Sequence, residues 1–283
     1  MLRRKDGKPA DRLLSNPYFE AYYQGIYRDR WEALRKSLLE KWVRIPFTRG
    51  LRVPYSLDRG SVVAAESLRF PDTGLILDAC AAPGGKSLVL AAAMGPELSL
   101  LANEPSRERR RRLLQVLEEH LDPEKRSRVA VSGFDAASLG GRKKERNRFG
   151  GILLDVPCSG ERHVLGDVQA LAQWKPARPR FLARRQWALL SAAFLVLQPG
   201  ASLVYVTCAI SEEENDGVAA RLLKKYPSEV LPDAPDFPEG EKTALGRIML
   251  PDVCGGMGPL YVARFRKQPS SSFHSPAYPF TGI

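Results

Sequence analysis

Two cysteines stand where a thiol could do covalent chemistry. Cys158 lies in Asp155-Val156-Pro157-Cys158-Ser159-Gly160, directly after the apolar run Gly151 to Val156. Cys208 follows Ser202-Leu203-Val204-Tyr205-Val206-Thr207, a second such run. If these runs are neighbouring parallel strands, both thiols reach the same sheet edge, beside the crevice where open α/β sheets bind ligands. A thiolate attacks and departs readily near neutral pH, which suits a reaction that splits one hard step into two. A lone loop cysteine is more often inert than catalytic. Two, each at the carboxyl end of a central strand, are harder to attribute to chance. Of the other two, Cys80 reads as packing in a glycine loop, and Cys254 has no assigned role. No C-x-x-C pair is present, which argues against zinc or another metal. Four dispersed cysteines suit a reducing compartment, and a cytoplasmic protein is expected.

The first strand run ends in Asp78-Ala79-Cys80-Ala81-Ala82-Pro83-Gly84-Gly85-Lys86-Ser87. Small residues and paired glycines at this point let a ligand approach the backbone. The spacing is neither G-x-G-x-x-G nor that of a phosphate-cradling P-loop. Glu104 ends the next run, where an acid is placed to take ribose hydroxyls. Asp135 follows the third, where it could accept from an adenine amino group. Each acid alone could equally be a helix cap. Three acids at successive strand ends point to an adenosine-type ligand.

These residues need a scaffold that alternates. Residues 13–42 read as helical, with Tyr18 to Tyr23, Trp31, Leu34, Leu38 and Leu39 forming an apolar stripe near a 3.6 period. Pro46 to Pro54 reads as a loop. Strands are expected at Leu75–Ala79, Leu98–Asn103, Arg128–Ser132, Gly151–Val156, Ser202–Thr207 and Leu260–Phe265. Helices are expected over 86–94, 106–120, 179–197 and 212–225. Continuous apolar strands alternating with helices imply a parallel sheet covered on both faces. The reading divides the chain into a small N-terminal helical extension (1–47) that contacts the polyanion, an α/β domain (48–267) and a flexible tail (268–283).

No apolar run approaches the roughly 20 residues of a membrane helix, and the charged start, Met1 to Asp6, lacks the apolar stretch of a secretory signal. The net charge of +11 favours a polyanionic partner, because each phosphate contact by Lys or Arg releases counterions. Arg107 to Arg112 holds five arginines, but on a helix they point several ways. Arg142-Lys143-Lys144-Glu145-Arg146-Asn147-Arg148 reads as the better phosphate-contact loop. His163 could touch the polyanion near Cys158, while His120 and His274 read as surface residues. Tyr18, Tyr22, Tyr23 and Trp31 read as core rather than base-stacking platforms.

The loop Asp78 to Lys86, the segment Asp155 to Gly160, and Tyr205-Val206-Thr207-Cys208 with Glu214-Asn215 resemble the motif set of the Nol1/Nop2/Sun (Fmu) family of RNA 5-methylcytosine methyltransferases. The likeness covers about residues 50–267, and includes Ser61 to Ser67, Trp174, Gln186 to Leu190 and Pro199-Gly200. It implies a Rossmann-like class I methyltransferase sheet with S-adenosyl-L-methionine as cofactor. The substrate would be RNA, with rRNA favoured over tRNA, and the protein a monomer without metal or membrane. Residue by residue it implies Cys208 as nucleophile and Cys158 in release of methylated RNA. Cys80, Ala81, Ala82, Pro83, Gly84, Gly85, Lys86, Glu104, Asp135 and Asp155 would line the donor site, and Asp155 would also meet the cytosine. Ala209-Ile210 departs from the usual pattern. Ser159 to His163 and Gly256 to Tyr261 are similar to the mitochondrial rRNA branch. A non-catalytic RNA-binding assembly factor is the alternative class, but scaffolding needs neither thiol.

Overall fold

The computed structural model describes residues 15–41, 44–233, 235 and 237–269. His274 and almost all of the expected tail lie outside them.

The chain starts with two helices, α1 (Pro17–Tyr27) and α2 (Trp31–Leu39). Asn16 caps α1 by accepting from the Tyr18 and Phe19 amides, and Pro17 occupies the first turn, where no amide is needed. The expected continuous helix breaks at Arg28, whose φ of 52° leaves the helical region. The residues expected to form a loop around Pro46 to Pro54 instead end in two short strands. These are β1 (Ile45–Phe47) and β2 (Tyr55–Leu57), paired antiparallel. Pro46 is tolerated because this ladder has only two strands and its missing amide can face outward.

After α3 (Arg59–Glu66) the alternating pattern runs β3 (Gly74–Asp78), α4 (Gly85–Ala93), β4 (Leu98–Asn103), α5 (Arg107–His120), α6 (Pro123–Ser127), β5 (Val129–Ser132) and β6 (Phe149–Asp155). Then come α7 (Glu161–Gly166), α8 (Val168–Gln173), α9 (Ala177–Val196), β7 (Leu197–Thr207) and α10 (Asp216–Lys225). Short strands β8 (Val230–Pro232), β9 (Glu241–Lys242) and β10 (Arg247–Met249) precede β11 (Leu260–Lys267). The sheet order is β5-β4-β3-β6-β7-β11-β10-β9, with β8 on β11. The order reverses beside β3, which makes that edge a ligand crevice.

The first five strands are parallel, as the alternation predicts. β11 runs antiparallel to β7, so the sheet is mixed rather than wholly parallel. An apolar run states burial on two faces but not strand direction, and here direction follows from the return through β10 and the glycine turn at 255–258. The period of two sorts the core. Leu77, Ile152, Leu154, Leu203 and Tyr205 face one side with α1, α2, α9 and α10. Ile76, Leu153, Val204 and Val206 face the other with α3, α4 and α5. Phe19, Tyr22 and Tyr23 pack on the buried Trp174, and Trp31 stacks on Tyr23, so Tyr22, Tyr23 and Trp31 join the core as expected; Tyr18 is a correction, since it is exposed on the outer face of α1. The N-terminal helices therefore share the sheet's own core.

Candidate active site

Register fixes the site. Asp155 at the end of β6 lies opposite Val206 in β7, and Asp78 at the end of β3 lies opposite Leu153 in β6. The loops that follow must therefore open at one edge. A cavity of about 480 Å³ sits there, lined by Cys80, Lys86, Asp155, Cys158 and Cys208 among others.

The glycine loop is built for backbone approach. Gly84 has a φ of +117°, a conformation that favours glycine, and it opens α4. A side chain at Gly85 would run into Leu57 of the small hairpin. Asp78 is fully buried; one oxygen accepts from Ser87 Oγ at 2.6 Å, and Oδ1 has no partner. Burial pushes its carboxyl up to about 7, with Asp155 adding to the rise. Lys86 pairs with Asp155 at 2.8 Å and donates to Ser61 Oγ at 3.2 Å. Burial works against its charge, but Asp155, Asp58 and Asp78 outweigh it and raise its pKa. Cys80 is half-buried and lines the cavity, and burial pushes its thiol well up.

Glu104 is buried beside this wall rather than in it. One oxygen accepts from the Ser106 amide at 2.9 Å, while Oε2 has no hydrogen-bond donor, although the Arg109 guanidinium lies 3.3 Å away. Arg109 reaches over to Ala82 O at 2.7 Å and lines the cavity. Arg110 donates to Glu104 O. Of the five arginines of α5, Arg109 therefore braces the glycine loop and Arg110 the turn after β4. Asp135 lies outside the lining: it is exposed, caps the turn at Ala137 and pairs with Arg185. That pair lowers its pKa.

The two thiols do meet. The Cys158 and Cys208 Cα atoms are 6.2 Å apart and the sulfurs are in disulfide contact. The Cys208 amide donates to Cys158 Sγ at 3.2 Å. Attack on any substrate requires the reduced pair, since only a thiolate is nucleophilic.

Two buried carboxylates hold these loops, and the sequence reading gave neither a role. Glu161, at the start of α7, accepts from Ser159 Oγ, from Tyr23 Oη and, at 3.1 Å, from the Ile210 amide. It thus ties the Cys158 loop, the Cys208 loop and helix α1 together. Glu214 accepts from the Ser159 amide at 2.9 Å and from Gln186 Nε2 at 2.8 Å. Tyr27 Oη donates to Ile210 O at 2.8 Å, a second strap from α1. Only an acid placed right after a glycine turn hinted at Glu161, and a solvated helix start gives the same pattern.

Burial raises both acids, and their mutual repulsion raises Glu214 further, to about 7. A carboxyl raised above its unfolded value binds more protons when folded. Its contribution to stability is complete below pH 4.5 and is lost as pH rises toward 7. Glu214→Gln keeps an acceptor oxygen for Ser159 and Gln186 and removes this titration. Urea unfolding at pH 5 and pH 8 should show a smaller fall in the variant than in the wild type. Parallel falls would place the titration elsewhere.

The loop 142–148 is not at this site. It precedes β6, whose far end leads to Cys158, so it lies at the opposite edge of the sheet. Two of its charges are engaged within the fold: Arg148 pairs with Glu145, and Arg142 lies over the Phe134 ring. The expected phosphate-contact loop therefore lies away from the cavity, with Lys143, Lys144 and Arg146 exposed. His163 does line the cavity.

A family description, 16S rRNA methyltransferase RsmB/F, matches residues 65–266. The chain belongs to this family. Ribosomal RNA small subunit methyltransferase F of Klebsiella pneumoniae (strain 342) is 37% identical over 234 residues, which is 78% of this chain and 47% of that protein. The enzyme of the same name from Escherichia coli O139:H28 is 36% identical over 221 residues, 74% of this chain and 44% of that protein. The chain spans about half the length of the curated relatives it matches. NSun6 of Pyrococcus horikoshii, solved with SFG, superposes with a TM-score of 0.65 at 25% identity, over 79% of this chain and 55% of that one. A methyltransferase homolog protein from the same organism superposes at 0.70 with 22% identity, over 90% and 96%, and supports the Rossmann-like fold. These relatives are bacterial and archaeal. The likeness to the mitochondrial branch rests on the Ser159–His163 and Gly256–Tyr261 segments alone. Among the described residues no helix is long and apolar enough to cross a membrane.

Proposed function

We propose that this chain is an S-adenosyl-L-methionine-dependent RNA (cytosine-5)-methyltransferase acting on small-subunit rRNA in the cytoplasm. One observation carries the reading: Cys158 and Cys208, 50 residues apart, are brought into contact on the wall of one cavity with the glycine loop. Family membership supports methyl transfer to 16S rRNA.

The donor fits the residues present. Asp78 Oδ1 is a buried acceptor without a donor, and Glu104 Oε2 has only the Arg109 ion pair and no hydrogen bond; a ligand rich in hydroxyl and ammonium groups would satisfy them. The loop Cys80 to Lys86 gives it backbone access, and Asp155 and Lys86 close the wall. Asp135, taken up by Arg185, would have to exchange partners to reach an adenine. The donor supplies an electrophilic methyl group.

Carbon 5 of cytosine is too weak a nucleophile to take that methyl directly. The Cys208 thiolate adds to carbon 6, and the electrons of the 5,6 double bond become available at carbon 5. After transfer, the carbon 5 hydrogen leaves as a proton, the carbon–sulfur bond breaks and the ring is restored. Cys158, touching the Cys208 sulfur, serves this departure. Asp155 faces the same space and can hydrogen-bond the cytosine. In this reading residues 48–267 perform the transfer, and α1 and α2 buttress its loops.

The test is transfer from methyl-labelled donor to purified 16S rRNA, followed by nuclease digestion and nucleoside mass analysis. Label in 5-methylcytidine is the expected result. Label in any other nucleoside would refute the assigned base. Label only in tRNA would favour the alternative substrate, and none in any RNA would favour the assembly-factor reading.

A further inference from the structure

The basic loop chosen from the sequence lies at the sheet edge away from the cavity, so the strand flanking the target base needs another surface. Helix α9 offers a surface. Between residues 168 and 211 there is no acidic residue, whereas Lys175, Arg178, Arg180, Arg184 and Arg185 fall within 175–185. Spacings of three and four put Arg178, Phe181, Arg184 and Arg185 on one face. The opposite face, Pro179, Ala183, Gln186 and Leu190, is buried in the core. Phe181 therefore points straight outward, and it is 70% exposed.

The face is continuous with the catalytic cavity, because Arg178 lines it together with Cys158 and Cys208. The guanidinium groups of Arg178 and Arg184 have no hydrogen-bond or ion-pair partner among the described residues. Arg185 reaches only the exposed Asp135, and Arg180 only the half-buried Glu213 at 3.3 Å. A single exposed apolar residue is ordinary. An unpaired arginine on either side of it, at the mouth of a site for a nucleobase, is a different setting.

We infer that this face of α9 is a track for single-stranded RNA next to the target cytosine, with Phe181 stacking on a neighbouring base and Arg178 and Arg184 holding phosphates. The inference rests on the RNA reading above. Arginines neutralise the backbone without reading sequence, and an aromatic face stacks on any base. The span from Arg178 to Arg185 is about 10 Å at 1.5 Å per residue, the scale of a short strand segment rather than of a protein partner. A target base must also leave its stack to reach buried thiols, which favours single-stranded substrate.

The experiment is fluorescence anisotropy with a labelled, unstructured 15-nucleotide RNA at several salt concentrations. Phe181→Ala should weaken binding about tenfold or more while leaving the salt slope unchanged, because a stack and no phosphate is lost. Arg178→Ala with Arg184→Ala should lower the salt slope by about 1.4, roughly 0.7 for each single-strand phosphate contact. Lys143→Ala with Lys144→Ala, at the far edge, should behave as wild type. In Phe181→Trp, RNA should quench the indole emission. Donor binding by calorimetry confirms that each variant is folded. Wild-type affinity and slope in both α9 variants, with no quenching, would overturn the track. A far-edge variant that weakens binding as much as the α9 variants would do so too. If the wild type methylates 16S rRNA but these variants bind normally, the surface alone is wrong. If the wild type neither binds nor methylates RNA, the functional reading falls first.

Discussion

Cys208→Ser is expected to reduce methyl transfer to background and to form no covalent RNA complex. Cys158→Ser should instead add to RNA, methylate it and stall. The two thiols touch, so proximity to the substrate cannot separate them; their order in the reaction can. Addition at carbon 6 needs a thiolate, and a serine hydroxyl is a far poorer nucleophile at neutral pH. Loss of Cys208 therefore blocks the first bond. Loss of Cys158 leaves that bond intact and removes help at the last step. The stalled species should survive denaturing electrophoresis as a slow-migrating band that nuclease removes. A stable band with Cys208→Ser and none with Cys158→Ser would reverse the roles. No band with either would leave Cys158 outside the release step and count against its assignment.

Glu161→Ala is expected to be nearly as damaging, although Glu161 touches no reacting atom. The carboxylate is fully buried and accepts from Tyr23, Ser159 and Ile210. Removing it strands three buried donors, and each unsatisfied group costs about 1–3 kcal/mol. The sum is a large part of the roughly 5–15 kcal/mol that holds a domain folded. Urea unfolding should show a loss of several kcal/mol. Glu161→Gln retains one acceptor oxygen and should lose less. If both variants unfold like the wild type, the carboxylate does not join the loops as described. Where Glu161→Gln stays folded, slower adduct formation with unchanged donor binding would mark a positioning residue. A uniform loss of both would mark a merely structural one.

The parallel strands and their thiols were legible because period and spacing carry them. An apolar run followed by a small-residue turn marks the carboxyl edge; Cys158 sits three residues past β6 and Cys208 directly after β7. Strand direction was not legible: Leu260 to Phe265 reads equally well parallel or antiparallel, and only the return path through β10 settles it. The pairing of β1 and β2 was hidden because Pro46 and Pro54 announce a loop. The position of the basic loop 142–148 was hidden for a related reason. Charge along the chain says nothing about which end of a strand a loop occupies, and this loop precedes β6 rather than following it. Glu161 was given no role, and Glu214 entered only within the resembling motif, because an acid beside a turn looks solvated. Glu161 is covered by Tyr23, more than 130 residues away, and Glu214 is held by Ser159 and Gln186, and no local pattern reports either.

The central claim is a covalent bond between Cys208 and a cytosine. The measurement that reaches it most directly is mass analysis of the complex trapped by Cys158→Ser, after digestion with nuclease and protease. A methylated cytidine nucleotide attached to the peptide that contains Cys208 is the predicted result. A nucleotide on any other residue, or a base other than cytosine on Cys208, would contradict it.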